Sequence, residues 1–201
     1  MITQMKKRKY TLKQRAKQQE ETRDRIVEAT MALHQELGPR NATVSAIAER
    51  AGVQRLTVYR HFPDDTALFQ ACTSCWLERH PPPDPHSWSN TVPALARCRT
   101  ALHMLYRYYQ GTQEMWRVSY RDLDDVPALA EPMAGFEAYL KGVQDDLAGA
   151  WKPTSGQRKR LNAAIALALR FSAWDSLQQQ GMGEKAAANL MADWLTCIVN
   201  R

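Results

Sequence analysis

Five side chains able to donate hydrogen bonds crowd seven consecutive positions: Arg55, Thr57, Tyr59, Arg60 and His61. Two guanidiniums, a hydroxyl, a phenol and an imidazole suit phosphate oxygens and base edges. A second cluster is Cys72-Thr-Ser-Cys75 with His80 close behind. A C-x-x-C pair raises metal or redox chemistry. No second such pair follows, and this one sits in the apolar helical stretch TALFQACTSCWL, where both thiols can instead face a core. Both readings stay open, and no metal or cofactor is expected.

A third set is aromatic and thioether-rich: Met104, Tyr106, Tyr109, Met115, Trp116, Tyr120, Phe136, Tyr139 and Phe171, with His103, Arg107, Arg117 and Arg121 beside them. It reads either as plain helical core or as a small-molecule pocket with orienting polar groups. No trio joins a nucleophile to a base, and no carboxylates pair in a catalytic motif. The chain is therefore not expected to be an enzyme; a helical enzyme with a basic, substrate-steering lobe would need clustered catalytic residues.

The charge is unevenly placed. Of 201 residues, the first 62 hold thirteen Lys and Arg against six Asp and Glu, and the remainder fourteen against fifteen. The whole excess lies in the N-terminal third, as in a polyanion binder. No apolar run approaches a membrane span and no secretory signal opens the chain, so it is expected in the cytoplasm.

Those residues are positioned by helices; almost nothing reads as strand. Thr11-x-x-Gln14 is a capping-box pattern for a polar helix that either frays or runs on into the next. From Arg23 a stripe of Ile26, Thr30, Leu33 and Leu37 marks a helix stopped by Gly38-Pro39. Thr43 then caps a second helix with Val44, Ile47, Ala48 and Ala51 on its buried face. Gly52 ends it and Val53 plugs the turn. The third helix, Gln54 to about His61, is too short to stand alone and must be held through Val58 and Phe62. A fourth starts near Pro63-Asp64-Asp65, and a segment with five prolines, Pro81 to Pro93, connects onward. Beyond it the patterns ALARCRTALHMLYRYYQ, EMWRVSYRDL, PALAEPMAGFEAYLKGVQDDLAGAW (interrupted at Pro132), GQRKRLNAAIALALRFSAWDSLQQQG and GEKAAANLMADWLTCIVN each read as a helix. The fold class is all-α, with a basic extension over 1–22, a helix-turn-helix domain over 23–79 and a helical domain over 80–201.

Helix, glycine turn and short helix form the helix-turn-helix signature. The run ATVSAIAERAGVQRLTVYRHFPDDTALFQAC closely resembles the DNA-binding region of the TetR family of bacterial transcriptional regulators, through Thr43, Ile47-Ala48, Ala51-Gly52-Val53, Thr57, Tyr59, Phe62 and the following Ala67-Leu68-Phe69. The strong resemblance covers residues 23–75. It implies that the third helix enters the major groove, with Arg55 toward base edges and Ser45 toward base or phosphate. Thr43, Thr57 and Tyr59 would bond phosphates, and Arg60 and His61 base, sugar or phosphate. Two positions depart from the family: Gln54 stands where a Ser is frequent, and Asp65 where many members carry a phosphate-contacting Lys. The cations Lys6, Lys7, Arg8, Lys9, Lys13, Arg15 and Lys17 either reach an adjacent phosphate or minor groove, or form a solvating tail.

For the remainder the resemblance implies ligand sensing and dimerisation. The last two long helices would pair with a second copy, which places two reading helices on a palindromic operator. Ala163 to Trp174 is apolar beyond one face, and Leu190, Trp194, Cys197 and Ile198 fall in phase. The expected function is a homodimeric transcriptional repressor released from its operator by a small molecule. The alternative is a ligand-independent DNA-binding dimer or adaptor regulated by a protein partner.

Overall fold

The computed structural model describes the backbone of residues 2–199 and the side chains of residues 13–199, so the side chains of Lys6, Lys7, Arg8 and Lys9 lie outside the described residues. Among the described residues there are nine α-helices, three single 3-10 turns and no strand. The chain divides into two compact units. One reaches to Arg79 and takes in Arg117–Pro132; the other comprises His80–Trp116 and the chain from Met133 onward.

In the first unit, α1 runs without interruption over Ile2–Leu37. Thr11 and Gln14 lie inside it, so no helix begins at the capping-box pattern. The stretch holds neither Gly nor Pro and is rich in Lys, Arg, Gln, Glu and Ala, so nothing forces a new start. Leu37, at the last position of α1, is exposed rather than on the buried stripe. Gly38 follows at φ 86°, where a Cβ would run into the Arg121 guanidinium and the Asp122 carboxylate. Asp122 in turn accepts from the Arg40 backbone N–H at 3.1 Å and from Arg121 Nε at 2.6 Å, while Arg121 Nη2 donates to the Leu37 carbonyl at 3.3 Å. Arg121 therefore anchors the end of α1. The hydrogen bond from Arg121 is the main cause holding the Asp122 carboxyl below the usual range.

Helices α2 (Val44–Ala51), α3 (Arg55–His61) and α4 (Asp65–Arg79) follow, and all three pack on α1. Their shared interior contains Ile26, Thr30, Leu33, Ile47, Ala48, Val58, Phe62, Leu68 and Phe69. Val44, placed by the sequence on the buried face of α2, is only half-buried. His34 is 4% exposed, with Nδ1 3.8 Å from the Cys72 sulfur and its ring edge-on to Phe69 at 4.6 Å. Burial pulls the imidazole pKa down to about 4 against the opposing pull of Asp122. Burial also pushes the Cys72 thiol up to about 12. Cys75 is half-buried, and among the described residues no three His, Cys, Asp or Glu side chains gather to hold a metal ion.

The second unit departs from the sequence reading at two joints. The patterns before and after Gly111 are one helix, α5 (Ala94–Asp122), because one exposed glycine costs only about 1 kcal/mol and apolar faces are buried on both sides of it. Conversely, the long apolar pattern after Thr154 is two helices, α7 (Ser155–Ala168) and α8 (Phe171–Gln179). At the break the Tyr106 hydroxyl donates to the Ala168 carbonyl and the Tyr109 hydroxyl to the Leu169 carbonyl, both at 2.8 Å. Arg170 is extended at φ −70°, ψ 139°. Between these, α6 spans Ala130–Gly149; Pro132 lies in its first turn, where its missing N–H is not needed, and the separate turn is Pro127–Leu129 just before it. Helix α9 (Glu184–Val199) packs on α7 and α8. The proline-rich segment is fastened to this unit: Trp88 is buried and donates to Asp146 Oδ2 at 3.0 Å, and the Tyr139 hydroxyl donates to the Pro83 carbonyl at 2.7 Å.

His34 titrates near 4 when folded against 6.5 when free, so the unfolded chain takes up its proton first as pH falls. Its contribution to stability is complete above 6.5 and is lost toward 4, about 3 kcal/mol in all. Urea unfolding of His34→Leu should lose less stability across that window than the parent; parallel pH profiles would show that another group is responsible.

Candidate nucleic-acid interface

The hairpin of α2 and α3 is built from local signals. The Thr43 hydroxyl oxygen accepts from the Ala46 N–H at 3.2 Å, capping α2 and leaving its own proton free to donate elsewhere. Gly52 takes the left-handed conformation, φ 65° and ψ 39°, and its N–H closes α2 onto the carbonyls of Ala48 and Glu49. Gln54 begins α3 with no side-chain cap, as the missing Ser at that position implies. The Asp64 carboxylate caps α4 through the Ala67 N–H at 2.8 Å, so Asp64 has a structural task at the helix start.

Helix α3 buries Val58 and ends on the buried Phe62, over whose ring the Arg23 guanidinium lies at 5.0 Å. Its opposite side stays in solvent. Arg55, Tyr59 and Arg60 are exposed, Thr57 and His61 are half-buried at the edge, and Ser45 is exposed in the first turn of α2. The structure thus brings all seven sequence-derived residues onto one hairpin. Leu56 joins them at 58% exposed and was missed by the sequence reading. The signal was there: Val58 and Phe62, four residues apart, define the buried stripe, and Leu56 lies about 200° around the helix from Val58. An apolar side chain among cations suits a thymine methyl.

Ion pairing sharpens the contrast. Elsewhere in this unit Arg50 pairs with Glu36 at 2.6 Å, Arg40 with Asp125 at 2.7 Å, and Arg79 with Glu28, holding the Glu28 carboxyl below its usual range. Among the described residues no ion pair engages Arg55 or Arg60. Their charges remain available to an outside anion.

In the second unit Tyr106, Trp116, Phe136, Tyr139 and Phe171 come together as rings in contact. Trp116 stacks on Phe136 at 4.1 Å between centroids, Phe136 on Tyr139 at 5.6 Å, and Tyr109 meets Phe171 edge-on at 5.4 Å. Met115 is buried as well. The structure does not bring the polar candidates into this cluster: His103 turns to Glu184 at 3.8 Å and Arg107 is exposed, while Met104 is half-buried. Tyr120 belongs to the first unit.

Residues 26–72 match the family model described as bacterial regulatory proteins, tetR family. Most of the chain is similar in fold to solved structures of such regulators. One is a TetR-like transcriptional regulator from Rhodococcus sp. RHA1, at 14% identity, covering 87% of this chain and 93% of that one, with TM-score 0.60. Another, from Mesorhizobium loti MAFF303099 and described as TetR-family, is 15% identical over 90% of this chain and 97% of its own, with TM-score 0.62. A third, from Clostridium perfringens and described as a fatty acid metabolism regulator, is 15% identical over 88% and 97%, with TM-score 0.58. No curated protein sequence matches the chain. The family model thus falls on the helix-turn-helix of the first unit, and the likeness to the solved structures is one of all-helical fold.

The turn makes a direct test. A Cβ at Gly52 would have room, its nearest neighbour being Arg25 Nη1 at 3.9 Å, so substitution costs only backbone strain. Gly52→Ala should destabilise by about 1–2 kcal/mol and Gly52→Asn by less, since Asn tolerates this conformation. Thermal melts in which both variants match the parent would show that the turn relaxes without cost.

Proposed function

We propose that the chain is a homodimeric repressor that reads a palindromic operator with α3 and releases it when a small molecule binds the second unit. The observation that carries the DNA reading is the division of α3: Val58 and Phe62 fix it to the body while Arg55, Leu56, Tyr59 and Arg60 face solvent, and among the described residues no ion pair engages either guanidinium. In this reading Arg55 addresses base edges, Leu56 a thymine methyl, and Thr43, Thr57 and Tyr59 the phosphates, with Ser45, Arg60 and His61 at the flanks.

Support for the dimer comes from α7 and α9. Their outward sides hold Leu167 at 59% and Trp194 at 55% exposed, with Cys197 exposed and Leu190 and Ile198 half-buried along the same stripe of α9. Apolar surface of this kind suits a self-complementary contact with a second copy. Support for an effector comes from the ring cluster, where Trp174, against Tyr109 and Phe171, has a buried Nε1 with no hydrogen-bond acceptor among the described residues. A ligand that parts the rings and supplies that acceptor gains affinity for the opened conformation, and operator affinity falls by the difference in ligand binding to the two states.

Two measurements check this. On duplexes selected from a random library, Arg55→Ala should cost about 1–3 kcal/mol at one base position, whereas Thr57→Ala should weaken every sequence alike. Equal losses for both variants on all sequences would defeat the assignment. Trp194→Asp should convert the protein from dimer to monomer by light scattering, and a dimer that survives it would remove α9 from the interface.

A further inference from the structure

We propose that the N-terminal half of α1 is a second DNA-gripping element, and that one sugar–phosphate strand lies in the groove between α1 and α3. This inference rests on the DNA-reading role of α3. The groove encloses about 710 Å³ and is lined by Arg15 and Arg23 from α1 and by Thr57, Arg60 and His61 from α3, with Glu20 as the one carboxylate. Three guanidiniums, an imidazole and a hydroxyl converge on it from two helices. Arg23 is held in place over Phe62, and among the described residues no ion pair occupies Arg15 or Arg60. The groove shares Thr57, Arg60 and His61 with the reading hairpin, so a strand contacted by α3 continues into it.

Helix α1 itself has no other evident reason to extend so far. Among the described side chains the first buried one is Ile26; over residues 13–25 every side chain is exposed except half-buried Thr22. Over residues 13–25 the helix therefore runs 13 residues, about 20 Å, with no packing face of its own. Polar helices without a packed side are marginal in water. The sequence makes this one worse: seven cations and no anion precede Glu20, and no acidic residue offsets the dipole in the first turn. Repulsion along such a helix is relieved by a linear polyanion laid beside it. The charge that destabilises the free extension is the charge that phosphates would neutralise.

The test uses fluorescence anisotropy on a labelled duplex of mixed sequence over a series of potassium chloride concentrations. Arg15→Gln should lower the slope of log affinity against log salt by about 0.9 per bound subunit, and Arg15→Lys should restore it. Lys141→Gln removes the same charge from an exposed ion pair with Asp145 in the second unit and controls for net charge. If Arg15→Gln and Lys141→Gln give the same slope as the parent, α1 takes no phosphate and the proposal falls. Should Arg60→Ala weaken binding while Arg15→Gln does not, the reading of α3 stands and only the share assigned to α1 is lost. A folded parent that binds the duplex at no salt concentration would overturn both.

Discussion

A helix of seven residues has no stability of its own, and most of the first unit is arranged around holding α3 still. Val58 and Phe62 tie it to an interior furnished by the second half of α1, and Gly52 fixes the angle at which it leaves α2. The end of α1 is itself held, through Gly38 and the carboxylate of Asp122, by residues about 85 positions further along the chain. A side chain that reads a base must be located within a fraction of an ångström, and a two-turn helix inherits that accuracy only from what it leans on.

Charge in this unit obeys a simple partition. Where a guanidinium has a structural role it meets a carboxylate, as in Arg50–Glu36, Arg79–Glu28 and Arg121–Asp122. On the outward side of α3, among the described residues, no carboxylate pairs with Arg55 or Arg60. The exposed pairs add little to stability in water. Their effect is on the surface potential: they cancel positive charge away from the hairpin and leave it uncancelled at Arg55 and Arg60.

The hairpin was legible in the residues because its signals are local. Thr43, Gly52 and the spacing of Val58 and Phe62 act over one or two turns, and α2, the turn and α3 lie where those residues put them. The candidate site followed, apart from Leu56, which the eye discounts as apolar unless it is placed on the helical wheel. What was not legible depended on distant partners or on the absence of a strong break. Thr11 and Gln14 mimic a helix start, yet no residue before them stops the helix already running. Gly111 mimics a boundary that buried surface on both sides overrides. The division of α7 from α8 has no local mark, because its cause is a pair of hydroxyls some sixty residues away.

That pair carries a consequence for how the second unit tolerates change. Tyr106 and Tyr109 stand three residues apart on α5 and capture two consecutive carbonyls, Ala168 and Leu169, so the phase of one helix dictates where another ends. A single-residue insertion upstream in α5 would rotate both hydroxyls by about 100° and release both carbonyls together. Substitutions across this unit can drift, but the number of residues between Ala94 and Tyr106 behaves as a fixed quantity, a length constraint written in side chains whose own identities look like ordinary core.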